Sequence, residues 1–479
     1  MTVVLDGRDD FTLATLRRVA VDGEAVAFSD ACTEKIRQGH ARLMDMIEND
    51  PGQFIYGVTT RFGEGAKTIL DAAGRREQAT APPYNYGTGL GRAASPQAVR
   101  SMIFCRLTNF VDGWSAVSLG TARRVADMLD GRALPRVPLG GQNNSGEVPP
   151  LLNLFAHLYG DECEEKDTNC IANGSPCASG LVGELALRAR HRLHLAEHVF
   201  ALSIEAANAP LEAYDPALRS LWDDPHEQAA LDGLNACLAG ARSQDRRPFQ
   251  APVAWRVIPR VLGQVHRAVS EVERIATVAL RAVTDSPVIV PTEQGTRAWS
   301  TGGFHNGAAY PTINWLNMAW ADMTSLTARQ TTKLMMPEVS ELPRNLPLGD
   351  HPYGVGTHKQ GQRSFSREAR ERAVPALLTM DEAVSGQTDV TAPTFLAYER
   401  ELETGWATDV CLALLAATAS QALAVADRQP APPLQPFLQA IRRVLPPVAA
   451  LHHGGFSGER LAEAFSAAAV SGDLTLASS

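Results

Sequence analysis

A chain of 479 residues exceeds a typical single domain, so two lobes or one large helical body with a sizeable core are expected. Hydrophobic residues make up 45%, charged residues 20%, and the formal net charge is −9, so no basic stripe offers itself to nucleic acid. The opening Met1-Thr2-Val3-Val4-Leu5-Asp6-Gly7 lacks a charged region followed by a long apolar run, and no later run reaches membrane-spanning length uninterrupted; a cytoplasmic location is expected.

From Phe11 to Ile47 apolar positions recur at helical spacing, and Ser29-Asp30 predicts a cap before the second of two short helical segments. The pattern then breaks. Tyr56-Gly57-Val58-Thr59-Thr60-Arg61-Phe62-Gly63-Glu64-Gly65 reads as an irregular loop with a phenol at its entrance, either a structural tyrosine or a base. A second glycine-rich loop, from Ala81 to Gly91, leads through Ser95-Pro96 into a helical run from Val99 to Phe110. It does not match the dinucleotide-binding glycine pattern and follows no predicted strand, so no nucleotide is expected.

Gly140-Gly141-Gln142-Asn143-Asn144-Ser145-Gly146-Glu147-Val148-Pro149-Pro150 is a polar turn between apolar segments. Such a backbone allows either an ordinary Asn-Ser-Gly turn or a covalent event. In the second case the amide nitrogen of Gly146 attacks the carbonyl carbon of Asn144, Ser145 loses water, and a methylidene-imidazolone results. Ala178-Ser179-Gly180 is a second candidate tripeptide, but it sits where a helix to Ala207 begins. Seven cysteines, at 32, 105, 163, 170, 177, 237 and 411, fit reduced thiols better than a disulfide framework. Cys163, Cys170 and Cys177 lack the spacing of a zinc site, so no metal is expected.

Beyond Asp215-Pro216 the chain is predicted helical in bulk, with one amphipathic helix from Ile258 to Val283 and a nearly all-apolar, central one from Ala407 to Ala426. Short strands are predicted around Val288-Ile289-Val290 and Trp299-Ser300. Arginines at 363, 367, 370 and 372 alternate with Glu368 and Glu371, which reads as a solvated helix face. Gln429-Pro430-Ala431-Pro432-Pro433 reads as a joint before a small C-terminal helical piece.

Taken in order, these loops resemble the aromatic amino acid ammonia-lyases and aminomutases, whose members act on histidine, phenylalanine and tyrosine. Tyr56 to Gly63 is similar to the family's catalytic-tyrosine loop, with Arg61 in place of glycine. Asn144-Ser145-Gly146 falls in register with the family's Ala-Ser-Gly, and Ala178-Ser179-Gly180 does not. Asn173-Gly174, Gln250 through Arg256, Thr284-Asp285-Ser286-Pro287, Gly302-Gly303-Phe304-His305-Asn306 and Gly386-Gln387-Thr388-Asp389 resemble further family stretches. Four further positions depart from the pattern. Asn144 replaces alanine, Val253 a tyrosine, Thr388 a glutamate or glutamine, and Tyr86 the histidine of histidine-type members.

The resemblance implies a mainly α fold: a large helical bundle core with a loop-rich, ammonia-lyase-like N-terminal active-site lobe. The lobe would span residues 1–207 and the bundle with its small C-terminal piece 208–479. The implied prosthetic group is methylidene-imidazolone, formed autocatalytically from the chain, with neither metal nor nucleotide. Tyr56, Asn144, Ser145 and Gly146 would be catalytic, and Tyr86, Asn173, Gln250, Arg256, Phe304 and Gln387 would bind an amino-acid-like substrate. Arg256 suits a carboxylate through its paired donors. Ammonia elimination and amine migration are both open. The alternatives are a ring-free enzyme repurposed for a specialised biosynthetic pathway and a non-catalytic binding partner. A homotetramer with sites shared between chains is also implied, so Tyr56, Ser145 and Gln387 would come from different subunits.

Overall fold

In a computed structural model of the chain, residues 2–83, 89–131, 133–142, 145–243, 245–247, 250–349, 353–383, 386–449 and 457–476 are described. They are mainly α-helical, as expected, with strands only in two-stranded ribbons. Two compact units divide the chain. The first comprises Met1–Leu187, Val272–Ile313 and Ala376–Glu399; the second comprises Arg188–Glu271, Asn314–Pro375 and Arg400–Ser479. Each unit is thus built from three separated segments, whereas the sequence reading divides the chain once, near 207.

In the first unit, helices start where the sequence supplies caps. The side chain of Ser29 accepts from Cys32 N at the head of Asp30–Asn49, and Ser95 accepts from Ala98 N ahead of Pro96–Thr108. The Pro96–Thr108 helix is buried on every face from Ala98 onward, which removes the one-sided stripe that marks a surface helix. Gly180, in the Pro176–Ala206 helix, lies against its backbone: a Cβ there would sit 2.5 Å from Met102 N. Close helix approach, not ring chemistry, is therefore what the glycine of Ala178-Ser179-Gly180 serves. Gly180→Ala is expected to destabilise the protein by about 1–3 kcal/mol through overpacking, read as a lowered melting temperature.

A cluster of Leu43, Met46, Ile47, Ile55, Val58, Ala116 and Ile289 sits under the Tyr56 loop. Because Ile55 and Val58 are 1% exposed, the residues flanking Tyr56 are anchored in core, and the loop is shaped rather than slack. Four ribbons complete the unit. Thr2–Leu5 runs parallel to Ala25–Phe28, a pairing the sequence reading missed because both strands are only four residues long. Leu90–Ala93 pairs antiparallel with Pro138–Gly140, so the second glycine-rich loop ends on the strand that feeds the Asn144-Ser145-Gly146 turn. Val288–Thr292 and Gly295–Trp299 form the predicted hairpin, and Thr379–Ala383 pairs with Thr388–Thr391.

The second unit is helical among its described residues. Arg192 lies between two carboxylates, with Nε 2.8 Å from Asp409 Oδ1 and Nη1 3.0 Å from Glu401 Oε1, and its guanidinium faces the Trp320 ring at 5.6 Å. Arg188 reaches Glu401 at 2.6 Å, so the buried charges are paired rather than isolated. The His358–Arg372 helix exposes Arg363, Arg367, Arg370 and Arg372, as its alternating charge predicts. One point corrects the sequence reading. The helix Thr394–Val425 is long and apolar enough to cross a membrane by length and composition, and 83% of its most apolar window is buried. Burial within protein explains that composition.

Candidate active site

Tyr56 sits on the turn held by the Ile55 and Val58 anchors. Its hydroxyl oxygen accepts a hydrogen bond from Gly63 N at 3.0 Å, closing the loop on itself, and its ring meets Phe62 edge-on, centroids 6.1 Å apart. Because the oxygen accepts from the loop, the phenol hydrogen is left to face a partner elsewhere.

Across from it lies the turn after Pro138–Gly140. Asn143 and Asn144 fall outside the described residues, but Ser145 and Gly146 are clear. Ser145 Oγ donates to Val390 O at 2.7 Å. Gly146 has φ 74°, and a Cβ there would lie 2.6 Å from Asn173 Oδ1. Both facts require glycine: a side chain would be strained by the backbone and would collide with Asn173. Glu147 follows with φ 54° and turns its carboxylate onto the start of the Pro176–Ala206 helix, accepting from Cys177 N at 2.7 Å and Ala178 N at 2.8 Å. The tripeptide's trailing end is thereby pinned to a helix N-terminus.

Glu147 is half-buried. Burial pushes its carboxyl up to about 7, partly opposed by the two helix N–H groups and by the charge of Arg106. A raised folded value means that the acid's contribution to stability is fully present below its ordinary 4.5 and is lost as pH rises through about 7. Melting temperature measured against pH is therefore expected to fall through that window in the wild type and to lose that component in Glu147→Gln. The sequence carried Glu147 only as part of a motif; its one local signal is an acid directly before Val148-Pro149-Pro150.

Asn173 is set from three sides. Its Nδ2 donates to Ser286 O at 2.6 Å, its Oδ1 accepts from Gly174 N at 2.8 Å, and its carbonyl accepts from Arg106 Nη1 at 2.8 Å. Arg106, 0% exposed, also bonds the carbonyl of Cys170 and was missed at the sequence level because it lies inside an apolar helix. The Thr284-Asp285-Ser286 stretch is held by Asn109, whose Oδ1 accepts from Thr284 N at 2.7 Å and Asp285 N at 3.0 Å. Beneath it Lys166 Nζ lies 3.1 Å from Asp285 Oδ2, with neither side chain exposed. Burial works against the Lys166 ammonium, yet the Asp285 charge holds its pKa above the ordinary value.

These pieces enclose a cavity of about 250 Å³ in the first unit, bordered by Tyr56, Phe62, Ser145, Asn173, Phe304, Gln387 and Thr388 among others. Of the expected site residues, Tyr56, Ser145, Asn173, Phe304 and Gln387 meet there, and Gly146 adjoins through Asn173. One chain supplies Tyr56, Ser145 and Gln387 together, which corrects the expectation that these three come from different subunits. Tyr86 and Asn144 lie outside the described residues. Gln250 and Arg256 belong to the second unit, where both are exposed and do not border the cavity; Arg256 Nε donates to Ala251 O at 3.0 Å. Val253, beside them, is 59% exposed, an apolar side chain presented outward. Among the described residues bordering the cavity none is an Arg, Lys, His, Asp or Glu, so a bound carboxylate finds no countercharge in that wall. All seven cysteines are free and buried, and burial raises the thiol pKa of Cys170 and Cys177, which suits inert thiols.

Residues 11–164 and 162–443 match the sequence pattern of the aromatic amino acid lyases. The probable histidine ammonia-lyase of Thermoplasma volcanium is 25% identical over 373 residues, 71% of this chain and 73% of that protein. Among solved structures, the ergothioneine-degrading ergothionase of Treponema denticola, in complex with desmethyl-ergothioneine sulfonic acid, has TM-score 0.88 at 18% identity over 98% of this chain and 99% of that one. Tyrosine aminomutase of Streptomyces globisporus has TM-score 0.85 at 20% identity over 98% and 97%. These structures share the fold of this chain.

Proposed function

Since the chain belongs to the aromatic amino acid lyase family and is a carbon–nitrogen lyase or aminomutase-like enzyme, we propose that it acts on an amino acid through a methylidene-imidazolone made from Asn144-Ser145-Gly146. The observation that carries this reading is Gly146: its φ of 74° and the absence of room for a Cβ beside Asn173 hold a glycine amide next to Ser145 in the cavity wall. Such a group supplies an electrophilic exocyclic carbon to a substrate amine.

The remaining work falls to side chains of the chain itself. Tyr56 takes the proton from the substrate's β-carbon, its oxygen kept in place by Gly63 N–H. Asn173 supports Gly146, and Phe62 and Phe304 flank the substrate side chain as apolar surface. Gln387 offers its amide at the rim. The carboxylate is met by Arg256, with Gln250, brought by a neighbouring subunit of a homotetramer; an outward-facing Val253 and a wall without charge support that arrangement.

Mass spectrometry of the peptide covering residues 140–150 tests the reading, since ring closure and dehydration remove two waters, about 36 Da. Ammonia release with histidine, phenylalanine and tyrosine is measured on the same preparation, and β-amino acid products separate migration from elimination. Undiminished turnover by protein whose peptide keeps its full mass would replace this route with a ring-free one. A monomer in sedimentation would remove the shared site.

A further inference from the structure

Among the wall residues that the proposed chemistry leaves without a task, one carries an amide. Asn169, on the helix Asp167–Ala172, borders the cavity and is 1% exposed. Its Oδ1 accepts a hydrogen bond from Lys166 Nζ at 3.2 Å. An ammonium can only donate, so this contact fixes which end of the amide is oxygen; the reversed amide would set two donors against each other. Nδ2 is therefore turned away from Lys166 and has no hydrogen-bond partner among the described residues. It lies under the Tyr56 loop, 2.9 Å from where a Cβ on Gly57 would stand. A buried donor left unsatisfied keeps the cost of its lost hydration, which a ligand bearing an acceptor would relieve.

We propose that Asn169 selects the substrate side chain, its Nδ2 donating to a neutral acceptor atom, a ring nitrogen or an oxygen, at the end that enters the cavity. Neutrality follows from the surroundings. Lys166 is already balanced by Asp285 at 3.1 Å, and the bordering polar groups, Ser286, Ser300 and Thr388, carry no charge. An anionic side chain there would be buried without a counterion. The preferred substrates are thus amino acids whose side chain ends in an acceptor rather than a plain hydrocarbon ring. The inference rests on the lyase reading only in taking the substrate to be an amino acid whose side chain occupies this cavity.

Calorimetric titration of the full-length protein with cinnamate and the three isomeric pyridylacrylates, at a pH well above the pyridine pKa, changes one ring atom at a time. At least one pyridylacrylate is expected to bind about tenfold or more tightly than cinnamate, as one well-placed neutral hydrogen bond provides. Asn169→Asp keeps an oxygen for Lys166 but removes the donor, and it is expected to erase that preference. Asn169→Leu, which removes both, should do the same, and melting curves establish that each variant is folded. Equal affinity across the four acids, or a preference unchanged in both variants, overturns the assignment. Binding is read independently of the ring: a full-mass peptide with the affinity pattern intact defeats the ring route and leaves the selectivity of Asn169 standing.

Discussion

Ser145→Ala is expected to lower ammonia release by three orders of magnitude or more, roughly 4 kcal/mol of transition-state stabilisation. In the proposed ring closure the serine hydroxyl leaves as water when the exocyclic double bond forms, and alanine has nothing to lose. Fold stability should change far less, because the hydrogen bond that the side chain donates to Val390 O at 2.7 Å is worth about 1 kcal/mol. Steady-state ammonia release, peptide mass and the near-ultraviolet difference spectrum all check the result. A variant with wild-type turnover would show that the reaction runs without the ring.

Lys166→Met is expected to destabilise the protein by about 3–5 kcal/mol, because it strands the Asp285 carboxylate in a site with no solvent exposure. Asn169 Oδ1 loses its donor in the same change. Denaturant unfolding measures the effect as a shift in midpoint. The double variant Lys166→Met with Asp285→Leu should recover much of the loss, since two apolar groups leave no charge behind. The pH dependence has a defined sign. A lysine whose folded pKa lies above its ordinary 10.5 contributes stability that is fully present below that value and lost only as pH rises beyond it, so Lys166 adds no slope near neutrality. A loss under 1 kcal/mol in the single variant would mean that the pair is not what holds this wall together.

The sequence was most informative where chemistry is local. Ser29 and Ser95 cap the helices they precede, the hairpin at Val288–Trp299 forms as predicted, and the alternating charges of the Arg363 region lie exposed. The residues that meet at the cavity are named by resemblance to family stretches, which is legible because each lies in a short motif beside a glycine. What remained hidden depends on partners distant in the chain. Glu147 caps a helix that begins almost thirty residues later, Lys166 answers Asp285, and Arg106 supports Asn173. None of these pairings leaves a periodic trace, because periodicity reports which face of an element is buried and not what it is buried against. Gly180 shows the same limit from the other side: its sequence context resembles a reactive tripeptide, and its reason is a neighbouring backbone.

The bond from Ser145 to Val390 has a bearing on biogenesis. The hydroxyl that would depart in the proposed ring closure is tethered to the carbonyl of Val390, 245 residues further along in the first unit's last segment. A nascent chain stalled before that segment would carry the tripeptide with its anchor still untranslated, so on this proposal the ring would mature on a scaffold that already includes Ala376–Glu399.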